Sequence, residues 1–144
     1  MDELEKSKIE ELVKAALKAK EYSYSPYSKF AVGAAVLSGS GKIYSGCNIE
    51  SSSYAPSLCA ERTAIAKAVS EGEKSIEAVA VVGSSDYTFP CGVCRQVIRE
   101  FGKEATVIVA NSPEDYKVFS LEELLPHSFG PEDLEQRKVS KNDI

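Results

Sequence analysis

A chain of 144 residues with 43% hydrophobic content is sized for one domain with an ordinary core. Its net charge of -5 and isoelectric point near 5.0 argue against a protein that works mainly on phosphate backbone, since its basic residues are scattered among acids rather than clustered. No stretch approaches the roughly 20 apolar residues of a membrane span, and the charged start Met1-Asp2-Glu3-Leu4-Glu5-Lys6 does not read as a secretory signal, so the cytoplasm is the expected compartment.

Residues 3–21 place Leu4, Ile9, Leu12, Val13, Ala16 and Leu17 at helical spacing between charges, which predicts an amphipathic first helix. Residues 22–29 (YSYSPYSK) contain Pro26 and three serines and read as a loop. From Phe30 to Leu37 there is no polar side chain, the pattern of a strand covered on both faces. Ser38-Gly39-Ser40-Gly41 is a hairpin turn signal, with residues 42–49 as the antiparallel partner. After a Ser-rich loop at 50–57, residues 58–70 (LCAERTAIAKAVS) are Ala-rich and helical in spacing. Residues 76–83 (IEAVAVVG) read as a buried strand, 84–90 as a loop, and 91–101 as a short helix stopped by Gly102. A strand at 105–110 and a short one around 117–119 follow, and Ser120-Leu121-Glu122-Glu123 has the form of a capping box opening a last helix. The residues beyond Pro131 are mostly charged and expected to fray, so 1–131 reads as a single domain and 132–144 as a tail. The order predicts a layered α/β domain whose mixed sheet is antiparallel at its first pair and parallel beyond.

Four cysteines in a cytoplasmic chain point to metal binding or catalysis rather than disulfides. The only histidine is His127, so a metal site must draw on thiolates and carboxylates. Cys91 and Cys94 stand three apart in a first helical turn and can face one metal, although such a pair alone equally fits a redox or structural motif. Cys59, opening the other central helix, completes three ligands and leaves a fourth position open, as catalytic zinc requires. Cys47 keeps a closed four-cysteine structural site as the alternative. Glu61, two residues from a ligand, fits a proton carrier beside the metal, and Arg62, three residues after Cys59, can offset the formal charge of -1 that three thiolates leave on Zn2+.

These residues match the zinc deaminase signature, Cys-x-Glu followed by Pro-Cys-x-x-Cys. With SPYSKFAVGAA (25–35), GCNIES (46–51), CAERTA (59–64) and PCGVCRQ (90–96), the chain resembles the small, all-cysteine cytidine deaminases of free nucleosides from its first helix to Phe129. The resemblance implies a three-layer α/β/α sandwich around a five-stranded mixed sheet. It also implies one Zn2+ per chain on Cys59, Cys91 and Cys94, and hydrolysis of cytidine and deoxycytidine to the uracil nucleosides and ammonia. Glu61 would be catalytic, moving a proton from water to ring N3 and on to the departing amine. Asn48 and Glu50 would bind the ribose hydroxyls, Phe30 would stack on the pyrimidine, and the backbone at Ala60 and Cys91 would read the base edge. The family's small members are usually homotetramers with shared sites; Tyr54 and Phe129 stand at the matching positions, and Gln96 follows the second motif and would support the surroundings of the metal. A nucleoside is therefore the expected partner, with no nucleic acid and no membrane.

A deaminase of a cytosine-containing antibiotic such as blasticidin S shares both zinc motifs but differs around the segments matching Phe30 and CAERTA. Nucleic-acid editing deaminases need a positive groove lined with stacking aromatics, which the acidic balance disfavours. A structural zinc module would need a fourth ligand and would leave Glu61 without a task.

Overall fold

The computed structural model describes residues 4–136. Helix α1 (Lys6–Lys20) is followed by the hairpin β1 (Val32–Ser38) and β2 (Ile43–Cys47), then α2 (Ala60–Ser70), β3 (Ile76–Gly83), α3 (Gly92–Phe101), β4 (Thr106–Ser112), β5 (Asp115–Ser120), α4 (Leu121–Leu124) and α5 (Pro131–Gln136). The strands form one sheet in the order β2-β1-β3-β4-β5. Strand β1 is buried along almost its whole length, in keeping with its lack of polar side chains before Ser38.

The period of two along each strand sends alternate side chains to opposite faces. Ala35, Leu37, Ala78, Ala80 and Val82 pack under Leu12, Val13 and Ala16 of α1. Val36, Val79, Val81, Val107 and Val109 pack under Ala64, Ile65 and Ala68 of α2 and Ile98 of α3. The result is the expected three-layer sandwich. On the second face, Gly46 lets α2 lie close against β2: a Cβ there would stand 2.7 Å from Ala64 N and 2.8 Å from Thr63 Cβ. That close approach brings the start of α2 beside the end of β2.

Two expectations need correction. The sheet is parallel only between β3 and β4; β1–β3 and β4–β5 are both antiparallel. The crossover through α2 returns the chain in the direction of β2, but β3 docks on β1, which already runs opposite to β2. Only two residues, Pro113 and Glu114, separate β4 from β5, and so short a connection makes a hairpin. The chain beyond Pro131 also does not simply fray. Helix α5 is tied to α3 by Arg99, which is 3% exposed, bonds Ser128 Oγ through Nε at 2.7 Å and pairs with the Glu132 carboxylate. A buried guanidinium needs such a partner. The rest of the expected tail, residues 137–144, lies outside the described residues. The capping box at Ser120 is present, with Ser120 and Glu123 each bonding the other's backbone N–H.

Candidate active site

Helices α2 and α3 both begin on a cysteine. Cys59 is the N-cap of α2 and Cys91 the N-cap of α3, each extended at the backbone, and neither side chain makes a capping hydrogen bond. Cys94 lies inside the first turn of α3 and is fully buried. The sulfurs of Cys59, Cys91 and Cys94 lie within 4.8 Å of one another, with Cys59 and Cys91 at 3.8 Å. Tetrahedral zinc with Zn–S bonds of about 2.3 Å would set its sulfurs about 3.8 Å apart, so the donor set fits that ion in type and spacing. Among the described residues this is the one such group of three or more potential ligands, and Cys47 is not part of it. The alternative of a four-cysteine closed site therefore lacks its fourth sulfur.

The electrostatics around the sulfurs favour thiolate at Cys59. Hydrogen bonding from Cys94 and then Arg62 holds the Cys59 thiol well below its ordinary value, while the same contact with Cys59 and burial push Cys94 up. Arg62 donates through Nη2 to Cys59 Sγ at 3.4 Å and to the Ser57 carbonyl at 3.5 Å. Its Nε is buried without a hydrogen-bond partner among the described residues. Two helix N-termini add positive potential at the same place. Glu61 sits in the first turn of α2, 3% exposed, and burial is the main cause that pushes its carboxyl up to about 7. A carboxyl that changes charge near neutrality can both accept and return a proton.

A cleft of about 220 Å³ opens beside Cys59, Cys91 and Glu61, with Val32, Asn48, Glu50, Leu58, Thr88 and Phe89 in its walls. This volume lies below the usual range of about 300–1,000 Å³ for ligand sites and suits a small substrate. Asn48 and Glu50 reach it because residues 48–50 are threaded between two segments. Tyr24 N–H donates to the Asn48 carbonyl, Glu50 N–H donates to the Tyr24 carbonyl, and Ile49 and Leu58 exchange backbone bonds. The Asn48 side chain, 8% exposed, accepts from Val32 N–H at 3.0 Å and Ser23 Oγ at 2.5 Å, and donates to the Phe30 carbonyl at 2.8 Å. Glu50 accepts from the backbone N–H groups of Tyr27 and Ser28 and from the Ser28 hydroxyl, which hold its carboxyl below the ordinary range.

The other anticipated residues stand outside the cleft lining. Phe30 is half-buried next to it, and Ala60 is buried at the first position of α2. Tyr54 is 74% exposed and edge-on to Tyr27, with ring centres 6.3 Å apart. Phe129 is 57% exposed, and its carbonyl accepts from Gln96 Nε2 at 2.8 Å. Sequence reasoning missed Val32, Leu58, Thr88 and Phe89 as wall residues, and Ser23 and Ser28 as anchors. Phe89 had a signal, its place two residues before Cys91; the serines had none beyond their loop.

Residues 6–110 match the family described as the cytidine and deoxycytidylate deaminase zinc-binding region. The chain is 48% identical over 128 residues to a cytidine deaminase of Sporosarcina psychrophila, covering 88% of this chain and 94% of that one. It is 43% identical to a probable cytidine deaminase of Dictyostelium discoideum, covering 91% and 90%. Among solved structures, cytidine deaminase from Burkholderia pseudomallei superposes with a TM-score of 0.78 at 44% identity, over 83% of this chain and 97% of that one.

Proposed function

The chain belongs to the cytidine and deoxycytidylate deaminase family, and on that premise we propose that it hydrolyses cytidine and deoxycytidine to uridine and deoxyuridine with release of ammonia. The observation that carries the reading is the three-sulfur group on two helix N-termini with a buried carboxyl two residues from one ligand. Cys59, Cys91 and Cys94 hold one zinc ion per chain. When bound, the ion supplies Lewis acidity that lets water lose a proton near neutral pH.

The chain's own groups perform the rest. Glu61 accepts the water proton and delivers it to ring N3, which makes C4 electrophilic. As the new C4–O bond forms, Glu61 takes the second proton from that oxygen and passes it to the amino nitrogen. The C4–N bond then breaks and ammonia leaves. Burial of Glu61 suits it to both directions of transfer, because neither of its protonation states is far from neutral pH. Arg62 balances the excess negative charge of three thiolates and keeps Cys59 ionised.

Asn48 and Glu50 take the sugar hydroxyls, with Glu50 already fixed by Tyr27 and Ser28. Backbone groups at Ala60 and Cys91 address the base edge, and Phe30 stacks against the pyrimidine. The exposed rings of Tyr54 and Phe129 complete a neighbouring subunit's site in a homotetramer, and Gln96 supports the surroundings of the metal. The catalytic domain takes in helix α5 (Pro131–Gln136) as well as the chain before it, and the enzyme serves pyrimidine salvage in the cytoplasm.

The decisive experiment is a spectrophotometric comparison of cytidine, deoxycytidine, CMP and blasticidin S, with metal analysis of the same preparation. Both nucleosides are expected to react, with about one zinc per chain. Faster turnover of CMP or blasticidin S would overturn the substrate, and active protein free of metal would overturn the mechanism. Sedimentation at four times the 15.6 kDa chain mass is expected for the tetramer.

A further inference from the structure

The loop from β3 to Cys91 is gripped by the β4–β5 hairpin at a point the proposed chemistry does not use. Tyr87 has a left-handed backbone with φ of 49°, a conformation that costs a bulky residue unless its surroundings impose it. Its N–H donates to Asn111 Oδ1 at 3.0 Å, and its hydroxyl donates to the Asp115 carboxylate. Asn111 Nδ2 donates to the other Asp115 oxygen at 3.0 Å, and Lys117 Nζ stands 4.3 Å from the centre of the Tyr87 ring. Asp115 is therefore the node that ties the tyrosine to the hairpin.

Three residues further on, the chain has a separate anchor. Pro90 is fully buried, its carbonyl accepts from Arg95 Nε at 2.8 Å, and Arg95 Nη1 reaches the Leu124 carbonyl at 2.8 Å. Thr88 and Phe89 are strung between these two anchors, and both line the cleft. The first anchor belongs to the hairpin, the second to the helix that carries Cys91 and Cys94.

We propose that Asp115 is a positioning residue for substrate: by fixing Tyr87 it sets where Thr88 and Phe89 meet the nucleoside, while Cys91 is held by the Pro90–Arg95 anchor. The inference rests on the nucleoside reading above. Loosening a binding wall raises KM with kcat preserved, whereas disturbing a metal ligand lowers kcat and metal content together.

Asp115→Ala and Tyr87→Phe should each raise KM for cytidine roughly five- to tenfold, with kcat within about twofold of wild type. Zinc should remain at about one per chain in both. Asp115→Asn keeps an acceptor for the tyrosine hydroxyl and should recover most of the loss. The double variant should be no worse than Asp115→Ala alone, because both changes remove the same bond. Unchanged KM in the single variants, a parallel loss of zinc, or effects that multiply in the double variant would each overturn the proposal. Amide hydrogen exchange reads the loop without turnover: residues 84–90 should exchange faster in Asp115→Ala, and unchanged exchange there also overturns it. Wild-type protein that failed to deaminate cytidine would remove the functional reading, and exchange would still decide the loop.

Discussion

The sulfur group and the Asn48–Glu50 segment face the same cleft but are held in place by different means. Cys59, Cys91 and Cys94 ride on the first turns of two helices, so helix geometry sets the directions in which they leave the backbone. Asn48 and Glu50 sit on extended chain past the end of β2 and are fixed by side-chain bonds to residues 16 to 25 positions away. The first arrangement separates tasks: helices position, sulfurs bind. In the second, Asn48 bonds the backbone of Val32 and Phe30 and also lines the cleft, so one side chain holds the fold and faces the cleft together.

Substitutions can break that contrast. Cys94→Ala strikes the helix-borne side hardest: zinc and activity should both disappear, and retention of a full equivalent of metal would contradict the ligand set. Glu61→Gln should keep the zinc and lose about 10²–10⁴-fold in rate, read as kcat at saturating cytidine. A near-normal rate would take the proton-carrying role from Glu61. Asn48→Ala should lower stability by about 1–3 kcal/mol, because the Val32 N–H and Phe30 carbonyl lose their partner, and should raise KM as well. Loss of binding with an unchanged unfolding midpoint would show that the segment separates its tasks after all.

The smallest effect concerns α5. The Arg99 guanidinium beside Glu132 holds that carboxyl down at about 2, against an ordinary value of 4.5. A lowered folded-state value means that the pair contributes above the ordinary range and is lost as pH falls toward 2. Wild type should therefore unfold at a higher temperature than Glu132→Gln at neutral pH, and the difference should shrink below about pH 4. A gap that persists in acid would assign the effect to packing.

The same contrast explains what could be read from residues in order. The ligands and Glu61 were legible because each lies within a few positions of a helix start, where spacing maps directly onto direction. The boundaries of β3 and the Ser120 capping box were legible for the same local reason. Phe89 and Thr88 were not, because nothing local says that the loop folds back over the cleft; the β4–β5 hairpin decides that. Nor was the direction of β3 relative to β1, since it depends on which edge of a finished hairpin the next strand joins. Helix α5 was hidden because its partner, Arg99, looks in sequence like an ordinary surface charge and is in fact buried.

Cys59 and Cys91 are 32 positions apart in the chain and meet at 3.8 Å. Only the folded chain brings them together, so a metal held there favours folding over unfolding by mass action. Each tenfold rise in free zinc above its dissociation constant adds about 1.4 kcal/mol to the folded side. The melting temperature of this protein is then a reporter of the zinc supply around it, and a catalytic ion doubles as the thermostat of its own scaffold.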